Sequence, residues 1–430
     1  MAKIADKKTA QTGLSEALAR YAEKIYPSKE ALDEFLSSGK KLKIYIGVDP
    51  TGSHFHLGHA TNFLLLKALQ NAGHKIIFLI GDFTARIGDP TDKLSARQPL
   101  TEEQIAENLK TFKEQAGKII SFGGKNPAEV DFNSRWLAKM TFSDLIKLAH
   151  HVTVQQMIER DMFQERLKAG KPIGVHEFLY PLMQGYDSVA MKVDAEMGGT
   201  DQTFNMLVGR TLVKVYLNKE KFVITTPLLV NEKTGKKMMN KSEGGLINLD
   251  DSPDEMFGRV MAVEDEAMFQ IARLSTEMPL SEIEKLEGAI SRRKLNPKDA
   301  KEKIAGAVVT LIWGEKTAQK AAEKWEELFS KKEMPKDMPP LKIKMVSPTT
   351  PTTGISYTPT TGISSTVTMT VITLVLMSGV VDSKSEARRL IKQGGFEVDG
   401  VKKMNPEEEL NFKGGEVVKI GKKNFFRIKI

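Results

Sequence analysis

The residues from Lys43 to Gly81 limit what this chain can fold into more than any other stretch. Ile44 to Val48 is a short apolar run rich in β-formers, and Asp49-Pro50-Thr51-Gly52 closes it with turn-forming residues. Apolar residues then recur at Leu57, Ala60, Phe63, Leu64 and Ala68, the spacing of one helix face, and Gly73 stands where a C-terminal cap is expected. Ile76 to Ile80 is apolar throughout and stops at Gly81, as a strand covered on both faces of a parallel sheet does. In a strand-helix-strand unit the ligand lies beyond the carboxyl end of the first strand, where free N–H groups and the helix dipole favour an anion. His56 and His59 fall at that point, three residues apart on the first helical turn, and Gly58 between them keeps side chains away from a flat ligand.

A chain of 430 residues is long for one core and suits several domains. It has no cysteine, so disulfides and thiolate metal sites are excluded and a reducing cytoplasm suits it. The N-terminus lacks the apolar stretch of a signal peptide, and the apolar run at Val371 to Met377 is too short to span a bilayer, so no membrane role is expected. The net charge of +8 favours a polyanionic partner without choosing one.

Residues 1–42 read as mainly helical. Asp82 to Arg97 follows the second strand; it is either a surface loop or a binding edge, with Thr84 and Asp89 beside the histidines and Lys93 and Arg97 able to close over phosphates. An amphipathic helix is expected from Thr101 to Gly117, a short strand at Val130 to Phe132, and one long helical stretch from Thr141 to about Leu167 whose His150 and His151 are structural. Tyr180, Gln184 and Asp187 fall at i, i+4 and i+7, one polar stripe among apolar neighbours, so a buried carboxylate and amide must find partners. Met197-Gly198-Gly199-Thr200-Asp201-Gln202 ends another apolar run with paired glycines, as a strand end approached by a ligand would.

The His56-Leu57-Gly58-His59 stretch resembles the HIGH signature of class I aminoacyl-tRNA synthetases. With Asp49-Pro50-Thr51, Thr84 to Asp89, the Tyr180/Gln184/Asp187 stripe and Gly198 to Gln202 in order, the chain is similar to the tyrosyl-tRNA synthetase family over nearly all its length. The resemblance implies an α/β fold: a Rossmann-like parallel-sheet catalytic domain at 1–250, then a helical anticodon-arm-binding domain at 251–330. A Pro/Thr/Ser-rich linker at 331–365, with a nearly duplicated octad, would lead to a small α+β S4-like RNA-binding domain at 366–430.

The same resemblance implies that ATP, with Mg²⁺, activates L-tyrosine for transfer to tRNA(Tyr), in a homodimer. Tyr45 and Asp187 would meet the phenol; Asp89, Tyr180, Gln184 and Gln202 would hold the amino-acid end, with Asp49 and Thr84 in the same tyrosine site. His56, His59, Thr51, Lys93, Arg97, Lys241 and Ser242 would serve catalysis, and Gly58, Gly198, Asp201, Lys237 and Lys241 would line the ATP site. Lys241-Ser242 matches the end of the KMSKS loop. Met238 stands where the first motif lysine is expected, and Lys237 takes that place only if one methionine is an insertion. Near the C-terminus, Ser383 to Glu386 reads as a capping box, opening a helix that aligns Lys384, Arg388 and Lys392 for RNA phosphates. A hairpin follows, with Asp399-Gly400 as its turn.

Three other readings stand beside this one. The histidines could form a metal cluster, but no carboxylate stands at ligand spacing. A tryptophanyl enzyme would share the nucleotide half yet lack the Asp187 stripe and the S4-like tail. A synthetase-derived RNA-binding protein without activity would explain Met238.

Overall fold

Six strands build the first sheet: β1 (Lys24–Tyr26), β2 (Lys43–Val48), β3 (Lys75–Ile80), β4 (Glu129–Phe132), β5 (Ala195–Gly199) and β6 (Phe222–Thr226), in the order β1-β6-β5-β2-β3-β4. This computed structural model describes residues 2–87, 101–231, 235, 237–239, 245–327, 340–342, 355–358, 366–381, 383–421 and 424–430. All neighbours in the sheet run parallel except β1, which is antiparallel to β6. From β2 the chain moves outward to β3 and β4, then returns to β5 on the other side of β2. That reversal opens a crevice at the carboxyl ends of β2 and β5, the place where open α/β sheets bind ligands.

The helix Leu57–Asn71 joins β2 to β3 and is buried on more than one face: Leu57, Ala60, Phe63, Leu64, Leu65, Leu66 and Leu69 are all inside. The extra face packs against the N-terminal helix Ala2–Tyr21. Arg20, in the last turn of that helix, donates to the carbonyls of Ala272, Arg273, Thr276 and Met278 at 2.7–2.9 Å. It thereby satisfies acceptors that the end of the Met268–Leu274 helix leaves open, and it ties the N-terminus to the helices that follow the sheet. Among those, Pro297–Trp313 buries Ile304, Val308 and Ile312 and packs on Pro253–Met261. This helical part and the sheet belong to one compact unit, Met1–Ala322; the second unit is Glu323–Ile430.

Two expected helices are interrupted. The stretch from Thr141 forms Phe142–Ala149, Val154–Ile158 and Asp161–Lys168; the capping box at Thr153 starts the second of these, while the third starts at Arg160 without a side-chain cap. The one from Thr101 divides into Glu102–Leu109 and Phe112–Gly117. His151 sets its ring edge-on to Tyr216, 5.4 Å between centroids.

In the second unit, β7 (Pro340–Lys342), β8 (Ile355–Thr358), β9 (Thr366–Thr370), β10 (Phe396–Val398), β11 (Val401–Lys402), β12 (Glu409–Phe412), β13 (Val417–Ile420) and β14 (Asn424–Lys429) form two sheets, ordered β11-β10-β13-β14-β7 and β12-β9-β8. Two pieces of the stretch expected to be linker are therefore strands. β7 runs parallel to β14, and β8, from the duplicated octad, pairs antiparallel with β9. Ile355, Tyr357 and Thr358 are strand formers, and each segment covers an edge that would otherwise lack a partner. The expected hairpin joins β10 to β11, with Asp399 and Gly400 both at positive φ as a tight two-residue turn requires.

Candidate active site

Asp49 follows β2 directly, and its carboxylate is held from two sides. Thr84 Oγ1 donates to Oδ1 at 2.7 Å, and the Tyr180 hydroxyl donates to Oδ2 at 2.8 Å. Thr84 comes from the turn after β3, and Tyr180 from the helix Val175–Met191 that crosses the crevice. The buried Arg166–Glu177 pair fixes the start of that helix, since Glu177 Oε1 also accepts from the Gly174 amide at 2.7 Å. Gly81 makes room for the arrangement: a Cβ there would lie 1.9 Å from Asp49 Oδ1 and 2.4 Å from Thr84 Oγ1.

Two turns along the same helix, Asp187 is buried and accepts on both oxygens, from Trp136 Nε1 at 2.7 Å and Asn133 Nδ2 at 3.3 Å. Asn133 Nδ2 also donates to Thr84 Oγ1 at 3.0 Å, which joins the Asp187 and Asp49 ends into one network. Burial pushes the Asp187 carboxyl well above the usual carboxylate range; the Trp136 and Asn133 donors pull against it, and the charges of Glu196 and Asp49 add to it.

Tyr45 and Gln184 belong to a second hydrogen-bonded set. The Tyr45 ring has no exposed surface, and its hydroxyl lies 3.0 Å from Ser188 Oγ and 3.4 Å from the Gln184 carbonyl. Burial, then the charges of Glu196 and Asp187, push this phenol well above its ordinary range, so it is a neutral O–H. Gln184 Nε2 donates to Glu196 Oε1 at 3.0 Å, while Gln184 Oε1 accepts from Asn205 Nδ2 at 2.9 Å. The same Asn205 nitrogen donates to Gln202 Oε1 at 3.1 Å.

On the nucleotide side, His56 is the N-cap of the Leu57–Asn71 helix. Its Nδ1 accepts from the Gly58 amide at 3.2 Å, and His59 Nδ1 accepts from the His56 amide at 3.1 Å. With both Nδ1 atoms accepting, each neutral ring carries its hydrogen on Nε2, so both present N–H donors outward from a helix N-terminus. The rings lie 4.1 Å apart, and a Cβ on Gly58 would come within 3.0 Å of the His56 ring. Thr51 sits half-buried in the preceding turn, its amide donating to the Asp49 carbonyl at 2.7 Å. Across the crevice, Gly198 lies in β5, and Asp201 just beyond it pairs with Lys237 at 2.9 Å. Lys237 is positioned by a bridge to Val230 and by the Met238 amide, which donates to the Leu229 carbonyl at 2.7 Å. Asp89, Lys93, Arg97, Lys241 and Ser242 lie outside the described residues.

The structure thus gathers Asp49, Thr84, Tyr180 and Asp187 into one hydrogen-bonded set and Tyr45, Gln184 and Gln202 into a second. Sequence reasoning assigned no role to Asn133, Trp136, Ser188, Glu196, Asn205 or Lys221. The only signals were polar residues standing at strand ends or inside apolar runs, Glu196 between Ala195 and Met197 above all. Lys384, Arg388 and Lys392 are exposed along one stripe of the Lys384–Lys392 helix in the second unit.

A family profile described as tRNA synthetases class I (W and Y) matches residues 37–330. Curated relatives divide the two members of that description: the tyrosine–tRNA ligase of Thermotoga maritima is 39% identical over 411 residues, 96% of each chain. The chain belongs to the tyrosine–tRNA ligase family. The tyrosine–tRNA ligase of Geobacter metallireducens, another member, is 41% identical over 93% of this chain and 94% of its own. Among solved structures, a C-terminally truncated mitochondrial tyrosyl-tRNA synthetase of Aspergillus nidulans matches with a TM-score of 0.63 at 24% identity, over 76% of this chain and all of its own. The Archaeoglobus fulgidus synthetase, solved with L-tyrosine, matches at a TM-score of 0.56 and 24% identity over 73% of this chain and 99% of its own. These two likenesses concern the fold. Placed on it, the family's signature histidines head the helix beside the crevice, and the Tyr180–Asp187 stripe faces inward.

Proposed function

We propose that this ligase activates L-tyrosine with ATP, releases pyrophosphate, and passes the tyrosyl group to the 3′-terminal ribose of tRNA(Tyr). The observation that carries the reading is Asp187, a buried carboxylate held on both oxygens by N–H donors and joined through Asn133 and Thr84 to Asp49 and Tyr180. Such a group accepts a hydrogen bond from a phenol and leaves an analogue without the hydroxyl unpaired. In the first step a carboxylate oxygen of tyrosine attacks the α-phosphorus of ATP, the bond to the β-phosphate oxygen breaks, and pyrophosphate leaves. Positioning and charge stabilisation suffice, so no side chain acts as nucleophile.

The Nε2–H groups of His56 and His59 donate to phosphate oxygens as negative charge shifts toward the leaving group, with Thr51 beside them and Lys237 at the opposite strand end. Lys93, Arg97, Lys241 and Ser242 complete the cationic surround by family resemblance. Mg²⁺ supplies charge neutralisation when it arrives with ATP, held by phosphate oxygens and water. The donor set fits that division of labour, because Asp49 is engaged by Thr84 and Tyr180, and Asp201 by Lys237.

Residues 1–250 are assigned to this chemistry, 251–330 to the anticodon arm, and 366–430 to RNA through the exposed Lys384, Arg388 and Lys392. A cysteine-free chain suits the cytoplasm. We assign a homodimer to the edge of β4. Val130 and Phe132 on that strand are 38% and 41% exposed, and on the helix Phe142–Ala149 Phe142 and Ile146, on one face, are 78% and 57% exposed.

The test is ATP–pyrophosphate exchange across the amino acids, for the parent and Asp187→Ala. Tyrosine-dependent exchange is expected, with the tyrosine-to-phenylalanine ratio falling about tenfold or more in the variant, the value of one hydrogen bond to a charged group. An unchanged ratio refutes the pocket. Absence of exchange in the parent favours an inactive RNA-binding relative, as Met238 would suggest.

A further inference from the structure

One buried ion pair lies behind the pocket and takes no part in the chemistry above. Glu196 on β5 and Lys221 just before β6 are 1% and 0% exposed and bond directly to one another. Glu196 is the parallel-sheet partner of Tyr45. Its Oε2 takes the Lys221 ammonium and, at 3.3 Å, the Ser188 hydroxyl, while its Oε1 takes Gln184 Nε2 at 3.0 Å. Lys221 Nζ also donates to Ser188 Oγ at 2.7 Å. The ammonium sits against the next helix at Gly209, where a Cβ would come within 2.6 Å of it.

The donors and acceptors of this cluster fix which way the Gln184 amide faces. A carboxylate only accepts and an ammonium only donates. Ser188 Oγ accepts from Lys221 at 2.7 Å and lies 3.3 Å from Glu196 Oε2 and 3.0 Å from the Tyr45 hydroxyl, which also reaches the Gln184 carbonyl at 3.4 Å. From Gln184, Glu196 can accept only the Nε2 group, which turns Oε1 of that amide toward Asn205. An amide oxygen has two lone pairs, and Asn205 occupies one on Gln184 Oε1.

Resting on the tyrosine reading, we propose that Glu196, braced by Lys221, is a positioning residue that fixes the flip of the Gln184 amide so that its oxygen accepts from the substrate ammonium. The wrong flip would present an N–H₂ group to a cation.

The experiment compares the parent with Glu196→Gln in pyrophosphate exchange, and measures competition by 3-(4-hydroxyphenyl)propanoate, which is tyrosine without its amino group. KM for tyrosine is expected to rise about tenfold or more, the value of one charge-assisted hydrogen bond, with KM for ATP unchanged. Inhibition by the desamino analogue should change by less than twofold, so the preference for tyrosine over it collapses. Parallel weakening of tyrosine and the analogue, or an unchanged KM for tyrosine, overturns the proposal. If Glu196→Gln fails to fold because Lys221 is left uncompensated, the double variant Glu196→Gln/Lys221→Met carries no buried charge and gives the same readouts. A parent inactive with tyrosine would fail the functional reading itself, separately from this one.

Discussion

Gly81→Ala should damage tyrosine activation through a carboxylate on a different strand. The added Cβ would stand 1.9 Å from Asp49 Oδ1 and 2.4 Å from Thr84 Oγ1, where a Cβ essentially never comes closer than 3.0 Å. Oδ1 must therefore retreat by about 1.1 Å and Oγ1 by about 0.6 Å. Gly81 itself has little freedom to yield, because its amide donates to the Val48 carbonyl at 2.9 Å and its carbonyl accepts from Ala85 at 2.9 Å. The 2.7 Å bond from Thr84 and the 2.8 Å bond from Tyr180 cannot both survive that displacement. A hydrogen bond to a charged group is worth about 1.5–3 kcal/mol, so kcat/KM for tyrosine should fall about 10- to 100-fold in pyrophosphate exchange. Overpacking should also lower stability by about 1–3 kcal/mol in urea unfolding.

The cause can be isolated with Asp49→Ala. In that background the Cβ no longer meets a carboxylate, so Gly81→Ala should cost markedly less stability than it does in the parent, a non-additive cycle. Parental kinetics in Gly81→Ala, or strictly additive stability losses, would refute the reasoning.

Two further outcomes follow from features outside the pocket. His74 is buried and accepts the Leu42 amide on Nδ1 at 2.9 Å, and burial, aided by Lys41, pushes it from 6.5 down to about 4. The unfolded chain then binds a proton that the folded one refuses, so this stabilising contribution is complete above pH 6.5 and is lost as pH falls toward 4. His74→Asn keeps an acceptor without the titration; the stability gap between parent and variant should narrow by about 2–3 kcal/mol from pH 7 to 4.5 in urea melts, and a constant gap would contradict the assignment. Phe142→Asp places an acid in the first turn of its helix, which the helix dipole tolerates, so a dimeric parent should become monomeric in sedimentation equilibrium without losing helicity. A variant as dimeric as the parent would remove the β4 edge as the interface.

Local periodicity made much of this fold legible. The unit from β2 through β3 was visible because strand, turn and helix each declare themselves within a few residues, and the Tyr180/Gln184/Asp187 stripe because helix geometry fixes i, i+4 and i+7 on one side. Capping boxes at Thr141 and Thr153 were equally local, but an apolar periodicity that continues across them hides the breaks. The Thr/Pro-rich stretch misleads for another reason: its composition is that of a linker, yet β8 gains its partner from β9, an edge formed far from its own neighbourhood.

The site residues that escaped sequence reasoning share one property: their partners are set by sheet order. Glu196 stands opposite Tyr45 only because β5 docks beside β2, and Asn133 reaches Asp187 only because β4 ends beside the turn that carries Thr84. The assembled network also shows what its parts do not. Burial pushes the Asp187 carboxyl upward, and the charges of Glu196 and Asp49 add to that push. A zwitterionic amino acid brings an ammonium of its own. Its ammonium, bound at the Gln184 end, would relieve the repulsion and favour the ionised form of Asp187 that accepts the phenol. Recognition of the two ends of the substrate is on this account coupled through charge balance.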